Sequence, residues 1–143
     1  MNEMTGAKMK IDIELLIHQA RLARANAYAP YSNYPVGAAV LTASGEIFTG
    51  CNIENAAYPS GLCAERVAIF KAVSEGAREI LAVAVVTKNG ASPCGACRQV
   101  ISEFAADDAV FMLASPRGKK YKRMTMKQIL PERFGPKHLK PGA

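Results

Sequence analysis

At 143 residues, with half of them apolar and 21% charged, the chain is long enough for one domain with a real core, and its repeat-free composition excludes a fibrous or disordered protein. The N-terminal MNEMTGAKMK lacks the apolar stretch of a signal peptide, and the longest apolar run, Ile80–Val86, is far short of a membrane span, so a cytoplasmic protein with no membrane association is expected. The net charge of +6 would suit nucleic acid, but half of the 18 Lys and Arg residues lie between Arg117 and Lys140, with no stacking aromatics among them beyond Tyr121 and Phe134. That distribution reads as a solvated tail, and nucleic acid is not the expected partner.

From Ile13, apolar residues recur at Leu16, Ile17, Ala20, Ala23 and Ala27, a spacing that predicts an amphipathic helix. Pro30 and Pro35 then impose a loop. VGAAVL and EIFTGCNI read as two strands of a hairpin joined through TASG. A second helix is predicted from Leu62 to Gly76, with Ser60 as its cap. ILAVAVVTK, nearly all branched and apolar, predicts a central strand covered on both faces. Ser92 as cap and Pro93 in the first turn would open a third helix running to Phe104, and AVFMLAS would return as a parallel buried strand. Past Pro116, KKYKRMT suits a polar edge strand and MKQIL one helical turn. The sum is one α/β domain over residues 1–143, a three-layer α-β-α sandwich with a mixed sheet of about five strands and loose ends at 1–10 and 137–143.

Four cysteines, Cys51, Cys63, Cys94 and Cys97, in a chain read as cytoplasmic point to metal or catalysis before disulfides. Cys94 and Cys97 are three apart at a predicted helix start, so both thiols lie on one side. A C-x-x-C pair there also fits a thioredoxin-type redox site. Cys63, at a second predicted helix N-terminus, shifts the balance: three thiolates leave one tetrahedral position open for water, the pattern of a catalytic zinc. Cys51 could close that position, although its place inside a strand favours core packing. Glu65, two residues from Cys63, could share a site with it only at the helix tip, where its carboxylate would reach the metal's water. Three thiolates exceed the charge of one Zn2+ by one unit, and Arg66, Arg98 and the two helix dipoles are the groups able to offset it.

CAER at 63–66 and PCGACRQ at 93–99, with PYSNYPVGAAV, GCNIENAAY and ILPERFGP, resemble the zinc-dependent cytidine deaminase family in its small homotetrameric form. The resemblance implies one Zn2+ per chain held by Cys63, Cys94 and Cys97. It also implies attack of a zinc-activated water on C4 of cytosine with Glu65 as proton shuttle, yielding uridine or deoxyuridine and ammonia in pyrimidine salvage. It gives Asn52 and Glu54 to the ribose, Tyr34 and the Ala64 backbone to the base, and Arg66 to the surroundings of the cluster. Phe134 would enter a neighbouring subunit's site in the homotetramer. Phenylalanine is the residue such a protein would be expected to carry at position 34, and the tyrosine adds a hydroxyl that needs a partner.

Three rival readings remain open on the residues. A non-catalytic zinc module would use Cys51 as a fourth ligand. A nucleic-acid deaminase usually begins its motif with histidine where this chain has Cys63, and the two histidines here, His18 and His138, lie far from the cluster in sequence. A deaminase of an aminonucleoside such as blasticidin S would share the fold and the metal chemistry.

Overall fold

The computed structural model describes residues 2–4, as backbone, and 10–140. Within them the order is β1 (Asn2–Met4), β2 (Lys10–Asp12), α1 (Ile13–Arg24), β3 (Gly37–Thr42), β4 (Ile47–Cys51), α2 (Ala64–Ser74), β5 (Ile80–Val86), α3 (Gly95–Phe104), β6 (Ala105–Ala114), β7 (Tyr121–Thr125) and α4 (Met126–Ile129). β1 and β2 form a small antiparallel ribbon, and Pro136–His138 form a 3-10 turn. Of the ends expected to be loose, 1–10 and 137–143, residues 2–4 and 10 lie in this ribbon and 137–138 in the 3-10 turn, and residues 1, 5–9 and 141–143 lie outside the described residues.

The main sheet has five strands in the order β4-β3-β5-β6-β7, mixed as predicted, with β5 and β6 parallel and every other pair antiparallel. β5 is central and buried along its whole length, which its unbroken branched run requires, because successive side chains must enter both faces. Val83 and Val85 face one core with Ala68 and Ile69 of α2, Ile101 of α3 and Met126 of α4. Ala82, Ala84 and Val86 face the other with Leu16, Ile17 and Ala20 of α1. Helices thus cover both faces, giving the α-β-α sandwich.

Two glycines set how closely the helices approach. A Cβ at Gly37 would overlap the Ala20 carbonyl oxygen and lie 2.6 Å from the Arg24 backbone nitrogen. At Gly50 it would lie 2.6 Å from both Ala64 O and Ala68 N, so β4 crosses the first turns of α2 backbone to backbone.

The predicted caps are corrected. Ser60 closes a 3-10 turn, Tyr58–Ser60, and the N-cap of α2 is Cys63, with φ −75° and ψ 155°. Likewise α3 is capped by Cys94, and Ser92 and Pro93 precede the helix. α1 ends at Arg24, before Ala27, and its cap is Asp12, whose Oδ1 accepts the Leu15 N–H at 3.0 Å.

Strand direction gathers the chemistry at one edge. β3 starts at Gly37 opposite the end of β4 at Cys51 and the end of β5 at Val86. The loop entering β3, the segment leading from β4 to α2 and the loop leading from β5 to α3 therefore emerge side by side, and α2 and α3 both begin there.

Candidate active site and metal centre

Cys63, Cys94 and Cys97 come together where α2 and α3 begin, their sulfurs within 4.8 Å of one another, and Cys94 and Cys97 Sγ are 3.4 Å apart. Tetrahedral zinc with Zn–S bonds of about 2.3 Å needs sulfurs roughly 3.8 Å apart, so the donor set fits one ion with little adjustment. Cys51 stands outside the cluster, half-buried at the end of β4. Among the described residues, no histidine or carboxylate joins the three thiols.

The electrostatics favour ligation. The Cys97 thiol and the Arg66 guanidinium both donate to Cys63 Sγ, Arg66 Nη2 from 3.4 Å, and hold the Cys63 thiol down at about 5. The Cys97 thiol is pushed up, through that same donated hydrogen bond and through burial. Near neutrality the cluster therefore already carries one thiolate, at the positive end of α2. The two arginines expected to offset charge diverge. Arg66 faces the sulfurs, whereas Arg98, a turn of about 100° further round α3 than Cys97, points away and donates to Pro93 O, Ile129 O and Ser92 Oγ.

Glu65 lies on the first turn of α2, only 4% exposed. Burial pushes its carboxyl up to about 7, helped by the charge on Cys63. A carboxyl titrating near neutrality beside a metal site can both take and give a proton. Ala64, fully buried, opens the helix, so its N–H has no intrahelical acceptor.

Two clefts meet at Asn52, Glu54 and Cys63. The inner one, of about 430 Å³, runs past Tyr34, Ala64 and Glu65 to Cys94. The outer one, of about 470 Å³, is rimmed by Tyr31, Ile53, Tyr58 and Leu62. Asn52 and Glu54 line both, as their i, i+2 spacing predicts, but they also hold the loop that enters β3. Asn52 Nδ2 donates to Tyr34 O at 2.9 Å and Oδ1 accepts from Val36 N at 2.8 Å. Glu54 Oε1 accepts from Tyr31 N and Ser32 N, and Oε2 accepts from Ser32 Oγ. These bonds, the Ser32 hydroxyl first, keep the Glu54 carboxyl below its ordinary value. One amide hydrogen and one lone pair on Asn52, and lone pairs on Glu54, remain for a ligand.

The Tyr34 hydroxyl donates to Asn89 Oδ1 at 2.6 Å. Ser32 and Asn89 were not anticipated from sequence; both are polar residues in loops, where no spacing marks them. Phe134 is 55% exposed, stacks on His138 with centroids 5.3 Å apart, and lines neither cleft of its own chain.

Three convergent thiols, with no fourth protein donor beside them among the described residues, and a buried carboxyl pushed up to about 7 on a three-layer α/β domain are the equipment of a zinc-dependent hydrolytic enzyme. The model of the cytidine and deoxycytidylate deaminase zinc-binding region matches residues 10–113. A cytidine deaminase of Sporosarcina psychrophila is 48% identical over 131 residues, 90% of this chain and 96% of that one. One from Halalkalibacterium halodurans is 46% identical over 126 residues, 87% of this chain and 95% of that one. The crystal structure of cytidine deaminase from Burkholderia pseudomallei superposes with a TM-score of 0.81 at 41% identity, over 87% of this chain and 100% of that one. The chain belongs to the cytidine and deoxycytidylate deaminase family.

Proposed function

We propose that the protein catalyses hydrolytic deamination of cytidine and deoxycytidine to uridine and deoxyuridine, releasing ammonia, with one Zn2+ per chain held by Cys63, Cys94 and Cys97. The observation that carries this reading is the convergence of these three thiols beside buried Glu65. Zinc, when bound, supplies the positive charge that makes a coordinated water acidic near neutral pH. Glu65 accepts the proton of the attacking water, hands a proton to N3 of the cytosine ring and then one to the departing amino group. Its position, poised near 7, suits a group that serves in both directions. Arg66 offsets the surplus negative charge of three thiolates. Tyr34 packs against the base, and the Ala64 backbone contributes to its recognition. Because the ligand thiols must stay reduced, the reading places the enzyme in a cytoplasm.

Asn52 and Glu54 would take the sugar with their remaining polar capacity. A site with such groups leaves them desolvated and unmatched when the sugar is missing, at about 1–3 kcal/mol per group. Free cytosine should therefore be a very poor substrate beside cytidine. Glu54→Ala should erode that preference, chiefly by weakening cytidine, with zinc content unchanged. If Glu54 serves only to hold the loop at Tyr31 and Ser32, kcat/KM for the two substrates falls in parallel, and the sugar assignment is lost.

We further propose a homotetramer in which Phe134 completes a neighbouring subunit's site, a role supported by its exposure and by its lining neither cleft of its own chain. Light scattering should give the mass of four chains, and Phe134→Ala should raise KM in an intact assembly. A fully active monomer overturns the shared site.

A further inference from the structure

We propose that Asn89 is a positioning residue for the base, its side-chain oxygen tethering the ring of Tyr34, which lines the inner cleft. The inference rests on the reading that Tyr34 packs against the base, and it assigns a use to the hydroxyl that distinguishes this tyrosine from phenylalanine.

The tether joins residues 55 apart in sequence because β3 and β5 are antiparallel, with Gly37 opposite Val86, so the loop before one strand and the loop after the other are neighbours. Tyr34 Oη donates to Asn89 Oδ1 at 2.6 Å, and Thr87 Oγ1 donates to the same oxygen at 3.3 Å. Thr87 is only 4% exposed, and its hydroxyl also accepts the Ala91 N–H at 2.8 Å, so the acceptor is held from a buried anchor. The Lys88 ammonium lies over the Tyr34 ring, 5.4 Å from its centroid, and further restricts it. Asn52 and Glu54 already fix the backbone that carries Tyr34, as described above. The remaining freedom is rotation of the ring about its side-chain bonds, and the hydroxyl bond to Asn89 removes it.

A pre-placed ring raises the fraction of molecules competent to bind, so its loss acts on KM. The proton path through Glu65 is untouched, so kcat is largely kept. Steady-state kinetics on the zinc-loaded enzyme with Tyr34→Phe, Asn89→Ala, their double variant and Tyr34→Leu tests this. Tyr34→Phe and Asn89→Ala should each raise the KM for cytidine about two- to tenfold, the range of one neutral hydrogen bond, with kcat within about twofold and the double variant no worse than either single. A silent Asn89→Ala, effects that multiply in the double variant, or a loss of kcat with loss of zinc would each overturn the tether. If Tyr34→Leu leaves KM unchanged, the placement of Tyr34 at the base fails and the tether with it. If Tyr34→Leu raises KM while Asn89→Ala is silent, the placement stands and only the tether is lost.

Discussion

Glu65→Gln is expected to leave a folded protein with one zinc per chain and to lower cytidine turnover by about 10²–10⁴-fold or more, the range for removal of a general acid–base group. The amide matches the carboxyl in shape and can hydrogen-bond to water, so the buried slot on the first turn of α2 stays filled. It cannot carry a proton. Burial, which drives the Glu65 carboxyl up to about 7, also makes the neutral amide an easy tenant, so stability should hold or rise. The loss should appear in kcat, measured beside zinc content and thermal unfolding on the same preparation. Near-normal turnover with zinc in place would remove Glu65 from the proton path.

Cys97→Ala carries the second large effect. Cys97 is fully buried on the first turn of α3, and its thiol donates to Cys63, so its loss removes one donor and loosens another. Two remaining thiols are too few for a tetrahedral three-ligand site, and zinc should fall from about one per chain to near zero by metal analysis. Bound metal also stabilises the native state: at free zinc 1,000-fold above Kd the gain is about 4 kcal/mol, worth roughly 8–16 °C in Tm for a chain of this size. Cys97→Ala should lose a shift of that order along with its activity. Cys51→Ala, outside the cluster, should keep the metal; zinc loss there would overturn the ligand assignment.

Strand and helix positions were legible where burial dictates pattern. The continuous apolar run at Ile80–Val86 can only be a strand covered twice, and the spacing from Ile13 to Ala20 can only present one face of a helix. The thiols were legible for a chemical reason, since three reduced cysteines near two helix starts have few uses apart from metal. The misplaced caps have the same origin. Ser60 and Ser92 satisfy capping preferences, yet the N-cap positions go to Cys63 and Cys94, neither of which makes a side-chain cap bond. There the convergence of the thiols at the two helix starts coincides with a departure from local capping propensity. The different fates of Arg66 and Arg98 depend on rotation about two helix axes that sequence does not report. The dual use of Asn52 and Glu54, holding the loop at 31–36 while lining the clefts, depends on a contact between segments some twenty residues apart. Asn89 is further still from its partner, and nothing near it in sequence marks it.

The central claim, zinc-dependent hydrolysis of the cytosine amino group in a nucleoside, is tested most directly by product analysis on the purified protein. Incubated with cytidine, the zinc-loaded enzyme should form uridine and ammonia in equal amounts; the metal-stripped protein should form neither, and restored Zn2+ should recover both. Cytidine left unchanged by the fully loaded protein, or uridine formed at the same rate after the metal is removed, would contradict the account.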